Sequence, residues 1–122
     1  MSAAVDRNYR DLTRATSATL AKMRVDAPDV MQGFSSLSQA ALADGTLSKK
    51  TKELIALALG IASHCDACIG FHVKALVRLG VTRRELEETL GVAVYMGGGP
   101  ALMYATGALR AFEEFSEAVP AI

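Results

Sequence analysis

Nine consecutive residues, Leu54-Ile55-Ala56-Leu57-Ala58-Leu59-Gly60-Ile61-Ala62, are apolar without interruption. As a helix this run is apolar on every side, and a helix of that kind is expected to be buried all round. At about ten residues with its neighbours it is too short to span a bilayer. The rest of the chain must therefore supply a wrapping of amphipathic elements. The whole chain has 122 residues, which points to one domain over 1–122. Hydrophobic residues make up 51% and mean hydropathy is +0.25. A chain this small leaves much of its surface exposed, so the apolar excess suggests burial against further copies of itself.

The periodicity of the wrapping is helical, with no convincing alternation of β-branched residues. Ala and Leu, good helix formers, dominate, and aromatics are only 6%. The reading is an all-α bundle of about six helices. The first runs from Val5 to Val25, with Leu12, Ala15, Leu20 and Met23 as its apolar stripe. Pro28 opens the second, to Ala43, with Val30, Phe34, Leu37 and Ala41 facing inward. Ser48 caps the third, Lys49 to Ser63. Asp66 begins the fourth, which stops at Gly80. Thr82 and Glu85 form a capping box for the fifth. Gly97-Gly98-Gly99-Pro100 breaks the pattern before a sixth, Ala101 to Phe115, and a tail from Glu117 is expected to fray or dock on a neighbour.

Thirteen basic and thirteen acidic residues balance to a formal net charge of zero. No field draws in nucleic acid or an anionic membrane, and neither is expected as a partner. The N-terminus lacks the apolar core of a signal peptide, so a cytoplasmic chain is expected. Thiols stay reduced in that compartment, which favours a catalytic or metal-binding Cys-x-x-Cys over a structural staple.

Both cysteines lie in one motif: Glu53, eleven residues, Cys65, two residues, Cys68, three residues, His72. On a helix Cys68 and His72 are i,i+4, with Leu76 and Leu79 continuing their stripe, while Lys74 and Arg78 form a separate polar ridge. In one straight helix Glu53 would stand about 18 Å from Cys65 and take no part. If the chain turns near Ser63-His64-Cys65, the two helices become antiparallel neighbours. Glu53 then falls beside His72, in the order Glu53, His72, Cys68, Cys65. That order suggests Cys68 as the attacking thiolate, favoured by the first-turn N–H groups, and Cys65 as the resolving thiol. Glu53 would orient His72 or act as base itself.

Other readings remain open on the residues alone. Cys65, Cys68 and His72, with Glu53 or His64, could supply four zinc ligands. The cysteines could be inert, and Glu53 a first-turn acid near the helix dipole. His64 reads as a surface or turn residue. The glycine triplet lacks the strand and Lys of a phosphate loop, so it reads as close packing or a hinge. Tyr95, Met96, Met103 and Tyr104 read as core or subunit interface.

The combined pattern Glu53, Cys65, Cys68, His72 resembles the alkyl hydroperoxidase D-like branch of the carboxymuconolactone decarboxylase superfamily. The resemblance runs from about Ser48 past Gly80 to the Gly-Gly-Gly-Pro-Ala-Leu-Met-Tyr-Ala stretch at 97–105. It implies an oligomeric all-α domain, a trimer or hexamer, that reduces hydroperoxides in antioxidant defence. By position, Cys68 would be peroxidatic, Cys65 resolving, and Glu53 with His72 the proton relay. The disulfide would be re-reduced by a dithiol or a lipoyl-protein partner, with no cofactor and no metal. Ala67 departs from the pattern, standing where such members often carry a histidine. Superfamily members that decarboxylate lactones generally lack the cysteine pair. A lyase acting through His72 and Glu53 on a small carboxylate substrate is the alternative activity, and a redox or zinc module the non-enzymatic one.

Overall fold

A computed structural model describes residues 8–117. Its elements are five α-helices, with no strand among the described residues: α1 Tyr9–Asp26, α2 Pro28–Leu42, α3 Lys49–Ala62, α4 Asp66–Arg78 and α5 Arg83–Glu117. Helices α3, α4 and α5 pack mutually and hold the core, α1 lies against α4 and α5, and among the described helices α2 touches only α1 and α3.

Local chemistry sets the boundaries. Asn8 is extended and its side chain accepts from the Asp11 N–H at 2.8 Å, so α1 starts at Tyr9. The expected start at Val5 lies outside the described residues. Ser48 accepts from the Thr51 N–H at 3.1 Å and opens α3. At the end of α4, Gly80 takes a φ of 79°. Its N–H bonds to the Val77 carbonyl and that of Val81 to the Leu76 carbonyl, a Schellman closure. Thr82 and Glu85 satisfy each other's backbone N–H groups at 2.9 and 3.1 Å, the expected capping box.

The expected fifth and sixth helices form one element with a single non-helical residue. Gly98 has φ 73° and ψ −156°, a state essentially restricted to glycine. The interruption is thus one residue wide rather than a loop over 97–100. In a straight helix Arg83 and Glu113 would stand roughly 45 Å apart, yet they form an ion pair at 2.9 Å. The element therefore folds back at Gly98 into two antiparallel arms.

Three expected apolar faces are corrected. Helix α3 is not covered all round: Leu57 and Ile61 are fully buried, but Ile55 and Leu59 are 47% and 63% exposed. Its inner side meets α4 and α5, and nothing among the described residues covers the outer side. Helix α2 buries no residue, and its stripe Val30, Phe34 and Leu37 is exposed rather than inward, as is Ala41. Helix α1 docks through Tyr9 and Thr13, whereas Ala15 and Met23 stay exposed. Its contact depends on missing side chains: a Cβ on Gly70 would stand 2.8 Å from the Thr13 methyl, and one on Gly107 would collide with the Tyr9 hydroxyl. No described helix is long and apolar enough to cross a membrane.

Candidate active site

The site is built at the α3–α4 hairpin. Helix α3 ends at Ala62, and Ser63 and His64 turn the chain so that Cys65 becomes the N-cap of α4. His64 makes the turn with a φ of 57°, an unusual state for a residue with a Cβ. Its ring stacks on Tyr104 with centroids 4.8 Å apart and planes 3° from parallel. His64 is thus an exposed turn residue tied to the second arm of α5.

Cys65 and Cys68 are joined in a disulfide, with Cα atoms 5.2 Å apart. The Cys65 sulfur also accepts from the Cys68 N–H at 3.2 Å, in place of a conventional capping oxygen. The pair occupies the end of α4 where orphan N–H groups favour negative charge. In this oxidised state neither sulfur is available as a metal ligand. Among the described residues no cluster of three or more His, Cys, Asp or Glu side chains is arranged to hold a metal ion.

One turn beyond Cys68, His72 presents Nδ1 to Glu53 Oε1 at 2.6 Å. Glu53 is 4% exposed, the one buried charged residue among those described. A buried carboxylate without a partner costs several kcal/mol, so the imidazole is what makes this position tolerable. The contact uses Nδ1 and leaves Nε2 as the ring's second proton-exchanging atom, on a side chain 27% exposed. The structure therefore brings Glu53 and His72 together and Cys65 and Cys68 together, with His72 on the same helix as the dithiol.

Two supporting features escape motif reading. A Cβ on Gly60 would lie 3.3 Å from the Cys68 Cβ, so a glycine within α3 lets its backbone abut the dithiol helix. An isolated glycine within a helical run was the available signal. Beneath the first turn of α4, the Tyr9 hydroxyl donates to Asp66 Oδ1 at 3.4 Å. Burial, reinforced by the Asp66 charge, pushes the Tyr9 phenol up to about 12. Nothing near Tyr9 in the sequence announces that role.

Residues 28–111 match the Carboxymuconolactone decarboxylase family. A solved structure of a protein of that family from Legionella pneumophila is 61% identical, covers 88% of this chain and 96% of its own, and superposes with a TM-score of 0.87. A second family structure, from Thermotoga maritima, has been suggested to take part in an antioxidative response. It is 28% identical, with a TM-score of 0.78 over 86% of this chain and 90% of that one. An uncharacterised protein of Cupriavidus necator is 43% identical over 86 residues, 70% of this chain and 76% of its own length.

Proposed function

The chain belongs to the carboxymuconolactone decarboxylase family, and on that footing we propose that it is a thiol-dependent hydroperoxide reductase. The observation that carries the reading is the Cys65–Cys68 disulfide on the helix that also bears the Glu53-paired His72. The antioxidative role suggested for the Thermotoga maritima relative is consistent with it.

The chemistry starts from the reduced pair. The Cys68 thiolate attacks the terminal oxygen of a hydroperoxide, an S–O bond forms and the O–O bond breaks. His72, with Glu53 holding Nδ1, hands a proton from Nε2 to the leaving alkoxide, which departs as an alcohol. The Cys65 thiolate then attacks the Cys68 sulfenic acid, hydroxide leaves as water after protonation, and the disulfide closes. A dithiol or a lipoylated protein of the cytoplasm returns both sulfurs to the thiol state. The catalyst works as a homo-oligomer, a trimer or hexamer. In support, Phe34, Leu37, Leu59, Met96 and Met103 are each more than 60% exposed in the single chain, which is apolar surface of the kind that marks association.

The test is hydroperoxide consumption driven by a small dithiol. Cys68→Ser should abolish turnover, and Glu53→Gln should lower it on the order of a hundredfold, the scale of one proton-transfer catalyst. Undiminished turnover in Cys68→Ser would overturn the reading. The family match and the Glu53–His72 pair also fit a lyase on a small carboxylate substrate. Lactone-consuming activity that survives thiol blocking would favour that activity instead.

A further inference from the structure

One cavity lies away from the dithiol. It has a volume of about 390 Å³ and is lined by Arg10, Thr13, Arg14 and Ser17 of α1, Lys74 of α4 and Phe115 of α5. That volume falls within the range of small-molecule pockets. The four α1 residues recur at i, i+3, i+4 and i+7, so one face of the helix forms a wall. Lys74 sits about 120° round α4 from Cys68 and about 160° from His72, which separates this cavity from the redox chemistry.

Its charge is one-sided. Among the described residues, three cations line it and no carboxylate does. Arg10 and Lys74 form no ion pair among the described residues, and Arg14 has only a loose, exposed contact with Asp11 at 3.7 Å. Glu114, the neighbour of Phe115, is already engaged: its Oε1 accepts from the backbone N–H groups of Tyr9 and Arg10 at 2.8 and 3.2 Å. Thr13 donates its hydroxyl proton to carbonyls of its own helix, whereas Ser17 makes no protein hydrogen bond among those described. Like charges sharing a cavity repel one another until an anion enters. Phe115, 5% exposed, gives the cavity an apolar floor.

We propose that this cavity binds a small organic dianion: a phosphate monoester or dicarboxylate whose charged end meets Arg10, Arg14 and Lys74 and whose apolar end rests on Phe115. Guanidinium groups match oxyanions in forked geometry, and the ammonium adds a point charge. The Ser17 hydroxyl supplies one further donor.

Calorimetric titration of the full chain with phenyl phosphate, phthalate, inorganic phosphate and benzyl alcohol tests this. Phenyl phosphate or phthalate, or both, should bind more tightly than inorganic phosphate, and benzyl alcohol should give no heat. Binding of phenyl phosphate alone assigns the site to phosphate esters, and of phthalate alone to dicarboxylates. Lys74→Gln and Arg10→Gln should each weaken binding by about tenfold or more, the scale of a charge-assisted hydrogen bond. Lys74→Arg should retain it. Lys74 and Arg10 are half-buried cations outside the redox pair, so the variants should keep the parent's helical circular dichroism and thermal melt, which reports that they are folded whatever the activity of the dithiol. Absence of heat with both dianions, or unchanged affinity in Lys74→Gln, would overturn the proposal.

Discussion

Helices α2 and α4 both carry an apolar stripe at helical spacing, yet they end in opposite environments. On α4, Ile69, Val73 and Leu76 are fully buried. On α2, Val30, Phe34 and Leu37 are 68%, 66% and 64% exposed. Amphipathicity is a statement about a helix, whereas burial requires a partner. Helix α4 finds partners on both flanks in α3 and α5, while α2 reaches only α1 and the margin of α3. The dithiol thus rests on the most constrained part of the fold, and the exposed apolar stripe rests on the least.

The contrast can be broken by substitution. Leu76→Ala removes a side chain with no exposed area and should destabilise the chain by about 2 to 5 kcal/mol in chemical denaturation. A loss below about 1 kcal/mol would mean that the α3–α4–α5 core is loosely packed. Tyr9 gives a smaller and pH-dependent effect. Its folded phenol, near 12 against 10 for the ordinary group, holds its proton more tightly than the unfolded one. The resulting stability is fully present below pH 10 and is lost as pH rises toward 12. At about 1.4 kcal/mol per unit, reduced for a hydroxyl near the surface, the loss should be about 1 to 2 kcal/mol. Thermal melts of the chain and of Tyr9→Phe between pH 9 and 12 should diverge, with the variant showing the shallower decline.

The smallest effect sharpens the comparison most. Leu37→Ala should change the stability of the isolated fold by no more than about 0.5 kcal/mol, since the side chain is exposed. If unfolding of the parent depends on protein concentration and that of Leu37→Ala depends on it markedly less, α2 has its missing partner in another copy.

The same contrast explains what sequence reading could reach. The Glu53–His72 contact was legible because helix rise and one turn place Glu53 opposite His72, and the hairpin allows little other register. The capping box at Thr82 and the breaking of the helical pattern near Gly98 were legible because local chemistry decides them. That the two arms of α5 fold back on one another was not, since it shows in the Arg83–Glu113 pair, thirty residues apart. The docking of α1 was equally hidden. Tyr9 is buried because Gly70 and Gly107, on two other helices, leave room for it, and a stripe count on α1 alone favours Leu12, Ala15, Leu20 and Met23. Inward and outward faces of α2 and α3 were misjudged for one reason: periodicity reports which side is apolar, not which side has company.

The carboxylate of Glu114 closes the first turn of α1 across 105 positions of sequence. A growing polypeptide emerging from the ribosome can assemble the α3–α4 hairpin well before that acid exists. The cap on its opening helix, however, must wait for almost the last residue described to be made. Closure of that first turn should therefore be a late event of biosynthesis, and a chain stalled before residue 114 would hold the paired Glu53 and His72, and could rest α1 on α4, while the N–H groups of Tyr9 and Arg10 stay uncapped.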